Sequence, residues 1–364
     1  MNKAYIAGAH SRARTAKAYI EYVEAGTKVA AFLVSPEMED NPAEVDGVPV
    51  LPIVSGENWL DTSLPVYIGT RGVNHAKLAE ELRTVGFTDI RPINMQVDIE
   101  MRNAYLEKWY AAHGREFVRM DTLQCVNSVK DLDDLPSSTI YMATSVFDGA
   151  LSDPYTPLPE EKVLQVGAAL ADHEVNGRVY ADDEGENISD RNRQFCELTG
   201  LYWIWKHAQQ DYVGLVHYRR HFLLPENWVS LLDSQGIDVL LPVPLYVGPS
   251  IKENYRERHI ASDWDFVEEY IAEHMPQEYD SFREIMGGNL YSPCNMLIAK
   301  KQVFDDLCEW LFPILFAVAE HGGTRDDRYQ NRYPGFLSER LITYFFESRR
   351  EKYKVVYCNK NFLA

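Results

Sequence analysis

Residues 212–216 (YVGLV) read as a buried strand that stops abruptly at His217-Tyr218-Arg219-Arg220-His221. Chemistry in α/β proteins concentrates at the carboxyl ends of such strands. Adjacent guanidinium groups can pair bidentately with phosphate oxygens, and they need no metal ion to do so. His217, Arg219 and Arg220 are therefore candidate anion ligands, with an ion pair to the acidic body as the alternative for one of the two arginines. A second turn, Gly8-Ala9-His10-Ser11-Arg12-Ala13, keeps only the first glycine of the dinucleotide fingerprint. His10 stands where a glycine would let the backbone approach a pyrophosphate, and Ser35-Pro36 replaces the expected acidic residue. A scaffold or protein-contact module is the preferred reading there, ahead of a bound nucleotide. Cys196 has no neighbouring His or Asp in sequence and reads as a small buried residue. Trp203 and Trp205 point to different faces of one helix, which favours core packing.

The elements that must position these groups alternate between strand and helix. A short strand over 3–9, a helix over 12–24 and a strand over 29–34 form a β-α-β opening. Further short strands follow at 48–53, 66–68 and 90–92, with helices over 75–85 and 101–113, a parallel α/β pattern. The polar, acidic stretch 126–138 reads as a linker, which gives a Rossmann-like domain at 1–125 and a second α/β domain at 139–364. In the second domain strands are expected at 140–143, 212–216, 237–241 and 295–299. Helices are expected at 197–207, 263–274, 302–319 and 338–349, a mixture that disfavours sandwich and bundle alike.

The 364 residues carry 55 acidic and 36 basic side chains, a formal charge of −19 that argues against a general nucleic-acid surface. Five scattered cysteines without a C-x-x-C pair argue against a disulfide framework or zinc site and fit a reducing cytoplasm. The apolar stretch at the amino terminus is too short for a signal-peptide core. The run 311–319 (LFPILFAVA) is about half the length of a spanning helix and reads as core. A peripheral membrane contact through Trp310, Phe312 and Phe316 stays open.

The block Asn187-Ile188-Ser189 to Asn192, then Cys196-Glu197-Leu198-Thr199-Gly200-Leu201-Tyr202-Trp203-Ile204-Trp205-Lys206, is followed by Gly214-Leu215-Val216-His217-Tyr218-Arg219-Arg220. These blocks resemble the signatures of bacterial capsular and exopolysaccharide biosynthesis glycosyltransferases. The likeness runs on through Tyr255 and His259, residues 291–299 (YSPCNMLIA), the aromatic helix at Trp310 and Gly335-Phe336-Leu337-Ser338-Glu339-Arg340. It covers roughly residues 139–350 in order, and several long motifs in order are more specific than one short motif. The first 135 residues lie outside it and are similar to the small Rossmann-like module attached to sugar-modifying proteins.

The resemblance implies a GT-A-like domain that moves a sugar from a nucleotide-diphosphate donor to a surface-polysaccharide or lipid-linked oligosaccharide acceptor. Galactofuranose or galactose from a UDP donor is the transfer it most invites. No Asp-x-Asp follows the strand 212–216, so His217, Arg219 and Arg220 would take the diphosphate, and metal independence is preferred with Mn or Mg as the alternative. Thr144, Asp183, Asn187 and Asn192 would contact the nucleoside or donor sugar. Asp182 and Asp183 lie in an acidic turn that could bind ribose hydroxyls or a metal, or simply be solvated. Asn187, Ser189 and Asn192 could equally cap the next helix. Glu339 is the first choice as base, with Asp265 and Asp263 as alternatives and helix capping as its ordinary structural use. Tyr255 and His259, four apart on one helical face, would grip an acceptor sugar. A non-catalytic scaffold of a polysaccharide assembly complex is the rival from a different class, and a nicotinamide oxidoreductase built on residues 1–125 is the enzymatic rival.

Overall fold

The computed structural model describes residues 2–36, 41–54, 60–70, 72–124 and 135–363. They fall into two compact units, residues 1–117 with 246–248 and residues 118–245 with 249–364. Of the segment 126–138, residues 126–134 lie outside the described residues, and Ser138 already opens a strand.

The first unit holds a six-stranded sheet. Its parallel strands run in the spatial order Val48–Pro52, Thr27–Val34, Asn2–Ala7, Val66–Ile68, Ile90–Pro92, and Glu44–Val45 adds an antiparallel edge. Helix Ser11–Val23 buries Ala13, Ala16, Tyr19 and Ile20, a helical-period stripe. The turn before it requires glycine: Gly8 sits at φ 115°, and a Cβ there would meet Thr70 Cγ2 at 2.8 Å.

The second unit is built on a seven-stranded sheet in the order Val355–Cys358, Val239–Pro242, Leu297–Lys300, Tyr212–His217, Ser138–Thr144, Glu161–Gln165, Arg178–Ala181. The sheet is mixed rather than parallel, because Leu297–Lys300 pairs antiparallel with both neighbours. Its core joins Ile140, Val216, Leu240 and Ile298 of the sheet to Trp228 and Leu232 of helix Trp228–Ser234. All six residues of Tyr212–His217 are buried, and they form the near-continuous apolar run expected of a strand covered on both faces.

Helix Lys301–Gly322 contains the apolar run and carries Pro313 on an exposed position while burying Leu311, Phe312, Ile314 and Leu315. Phe312 is therefore core. Among the described residues no helix is long and apolar enough to cross a membrane. Helix Tyr333–Ser348 starts five residues before the expected start at 338, with Pro334 in its first turn, so Glu339 lies inside the helix and is not an end cap. Strands Glu161–Gln165, Arg178–Ala181 and Val355–Cys358 were not expected; all are short, and the first two interleave charged or polar residues with apolar ones.

Candidate functional site

Three parallel strands of the second unit end side by side, and the antiparallel strand Leu297–Lys300 brings its amino-terminal approach to the same rim. That rim opens into a cleft of about 960 Å³, lined by Asp148, Glu197, His217, Arg220, Arg332 and Glu339 among others. The helix Tyr333–Ser348 supplies the opposite wall through Gly335, Phe336 and Glu339.

His217 and Arg220 close a tight turn, each backbone N–H donating to the other's carbonyl, at 3.1 and 3.0 Å. Tyr218 and Arg219 are the central residues of that turn. Arg219 consequently does not line the cleft; its guanidinium lies over the rings of Tyr218 and Phe362, at 4.6 and 5.8 Å. Arg220 Nη1 is 3.2 Å from His217 Nδ1. Because a guanidinium only donates, Nδ1 accepts and the neutral ring carries its proton on Nε2. Burial, helped by Arg220 and opposed by Glu197, holds the His217 pKa down at about 4. The imidazole is thus neutral at physiological pH.

Glu197 Oε1 lies 3.9 Å from His217 Nε2 and accepts from Asn295 Nδ2 at 2.9 Å. Burial pushes its carboxyl up, but His217 and the Asn295 amide outweigh that and leave its pKa below the ordinary value. Asn295 is fixed in turn by its donation to Gly335 O and by the Ser338 hydroxyl. Cys294 and Asn295 both have positive φ, 82° and 48°, an uncommon conformation for residues with side chains. The bend aims the Cys294 N–H at Glu339 Oε1, 2.8 Å away.

Glu339 Oε2 accepts from Arg340 Nη1 at 2.8 Å. Burial raises its pKa, and Arg340 and the Cys294 N–H offset this only in part. Asp148, in the turn after strand Ser138–Thr144, accepts the Ser145 N–H at 2.7 Å. Burial lifts it to about 6 against the pull of that N–H and of Arg219. One carboxyl held down, Glu197, and two pushed up, Asp148 and Glu339, therefore face one volume, an arrangement suited to proton transfer.

Several residues singled out from the sequence sit elsewhere. Asp265 pairs with Arg256, and Asp263 takes a two-pronged ion pair from Arg325; neither lines the cleft. Asp183 is exposed, and its carbonyl accepts from Asn187, whose side chain also binds Gly185 O and the Ser189 N–H. Asn187 thus ties a turn. The buried acid of that turn is Asp182, which accepts from the N–H groups of Gly167 and Ala168 and from the Ser189 hydroxyl. Thr144 bonds back to Met142 O and does not reach the cleft. Asn192 does line it, with its amide spent on Cys196 O and Thr199 Oγ1.

Tyr255 is fully buried against Trp264. His259 is the residue after helix Ile251–Arg258 and extended in backbone, so the two do not share a helical face, although their rings lie 4.7 Å apart. His259 instead stacks on Phe336 and Tyr329, both of which line the cleft. Trp203 and Trp205 pack into aromatic clusters with Tyr141 and Phe312. Cys196 is more than buried filler: it lines the cleft at φ 50°.

Sequence reasoning left Asp148, Glu197 and Arg332 without a role. Glu197 stands inside the quoted Cys196-Glu197-Leu198-Thr199 block, and Asp148 follows a strand end, so both carried a signal. Arg332 carried none. Among the described residues no three His, Cys, Asp or Glu side chains gather in a way that could hold a metal ion. Glu339 already faces a guanidinium and an N–H, a poor setting for a cation.

Residues 154–350, more than half of the chain, match the family model described as "Domain of unknown function (DUF4422)". The apo structure of WbbM, a bifunctional glycosyltransferase, superposes with a TM-score of 0.54 at 25% identity, over 63% of this chain and 45% of that one. The present chain thus spans less than half the length of that protein. No curated protein matches it in sequence.

Proposed function

From the premise that this chain belongs to the family described as a domain of unknown function, DUF4422, we propose that it is a glycosyltransferase using a nucleotide-diphosphate sugar. The observation that carries the reading is the convergence of Arg220 with half-buried carboxylates on one cleft at the carboxyl ends of parallel strands. Its volume is in the range that encloses a ligand of nucleotide-sugar size. A GT-A-like domain, a UDP donor carrying galactose or galactofuranose and a surface-polysaccharide acceptor are the specific form of the proposal. A cytoplasmic setting accords with the four described cysteines, all free thiols.

Arg220, its Nη1 directed at His217 Nδ1, holds the diphosphate and meets the negative charge that grows on it as the glycosidic bond breaks. A guanidinium supplies that charge stabilisation without a metal. In an inverting transfer Glu339 takes the proton of the acceptor hydroxyl while the new bond forms. Its raised pKa brings it closer to the working pH, where a general base is most effective. The rings of Tyr329 and Phe336, tilted to one another and each stacked on His259, offer an apolar face for a sugar ring.

A thermal-shift series with UDP-, GDP-, dTDP- and CMP-sugars, with EDTA or with added manganese, tests the proposal. The expected result is a higher midpoint with one nucleotide sugar that survives EDTA. No shift with any donor in either condition refutes it.

A further inference from the structure

Five arginines line the cleft, Arg193, Arg220, Arg325, Arg328 and Arg332, and among the described residues only Arg325 forms an ion pair, with Asp263. Arg332 is held by a different kind of partner. It ends the short turn Gln330–Arg332 that leads into helix Tyr333–Ser348. Its Nε donates to Cys196 Sγ at 3.0 Å, its guanidinium lies 5.8 Å from the Phe336 ring centre, and its terminal amino groups bond to no described residue.

Cys196 is held for this contact. Its N–H donates to Asn192 O at 2.7 Å, and Asn192 Nδ2 returns to Cys196 O at 2.8 Å. Thr199 Oγ1 donates to the same carbonyl. This clamp keeps a non-glycine residue at φ 50°. Burial raises the thiol to about 11, so it stays protonated and neutral. A neutral acceptor orients a guanidinium and leaves its charge intact, whereas a carboxylate there would quench it. Arg220 has the same character: it meets His217 and the Phe362 ring, and no described carboxylate forms an ion pair with it. Both arginines line one cleft and act electrostatically on His217.

Resting on the transferase reading above, we propose that Arg332 is the second arm of a two-arginine grip on the donor diphosphate, with Arg220 as the first and Cys196 as the residue that positions Arg332. The two guanidinium groups contribute parallel N–H pairs to phosphate oxygens, and the thiol fixes the plane of one of them through Nε.

The test uses the full chain and calorimetric titration with UDP, GDP and dTDP, each against its free nucleoside. Arg332→Ala is expected to weaken the diphosphate that binds by about 10- to 100-fold and to leave its nucleoside within about twofold. Arg332→Lys keeps the charge but loses the fork, and should stay several-fold weaker than wild type. Cys196→Ala should cost several-fold, Cys196→Ser should restore most of it, and Cys196→Ala should add nothing in the Arg332→Ala background. Wild-type diphosphate affinity in Arg332→Ala, or equal losses for diphosphate and nucleoside, overturns the grip. An additive Cys196→Ala effect overturns the positioning role. Absence of binding of any nucleoside diphosphate to wild type removes both this proposal and the transferase reading. Arg332 is solvent-exposed, and unchanged melting of the apo variants excludes misfolding as the cause.

Discussion

Asp148 is a carboxyl whose burial should be measurable as lost stability. Its pKa rises from the ordinary 3.8 to about 6, and at 1.36 kcal/mol per unit the shift amounts to about 3 kcal/mol, trimmed to about 2 by its partly exposed edge. Between those two values the folded chain retains a proton that the unfolded chain releases. Raising the pH through this window therefore destabilises the wild type. Asp148→Asn keeps an oxygen for the Ser145 N–H and removes the titration. Urea unfolding can be followed by tryptophan fluorescence, since five of the seven tryptophans (Trp203, Trp205, Trp228, Trp264, Trp310) lie in the second unit. The stability difference, variant minus wild type, should grow by roughly 1 kcal/mol from pH 5 to pH 7.5 and then level off. A difference that is flat or shrinks over that range refutes the burial argument.

Glu339→Gln should lower kcat about 10²- to 10⁴-fold with KM within a few-fold, and the acid limb of the wild-type rate profile should lie above the usual carboxylate range. Arg220→Ala should weaken nucleotide binding more than about tenfold and Arg219→Ala less than about threefold, because only the first lines the cleft. Asp182→Ala strands two backbone N–H groups and the Ser189 hydroxyl, and should cost about 3 kcal/mol in urea unfolding with no change in the nucleotide preferred. His217, held at about 4, should contribute no rate limb near its ordinary value of 6.5. It should make stability fall as pH drops from about 6.5 towards 4, a dependence missing from His217→Asn.

Much of this arrangement was legible because strands with continuous apolar runs announce themselves. Tyr212–His217 and Val66–Ile68 fall within a residue of their expected bounds. The strand end itself was legible too, since an apolar run that stops in two arginines stands out in the sequence, and Arg220 of that pair lines the cleft. What sequence could not supply was direction. A tight turn decides that Arg220 faces the cleft and Arg219 does not, and either arginine has the same composition and spacing signal. Nor could it reveal that Asp265 and Asp263 are taken by Arg256 and Arg325, because those pairings link positions up to 62 residues apart. The antiparallel course of Leu297–Lys300 was equally hidden, since a buried strand shows the same run of apolar residues in either direction.

That reversed strand also governs when the cleft can exist. Its approach supplies Cys294 and Asn295, which must meet Glu197 almost a hundred positions earlier and Gly335 forty later. Such pairings close long loops and form late, after the entropy of bringing remote segments together has been overcome. A nascent chain that has completed its central strands would still have no ligand pocket. Recovery of nucleotide binding during refolding should accordingly lag behind recovery of sheet signal, making the ligand a reporter of the last assembly step.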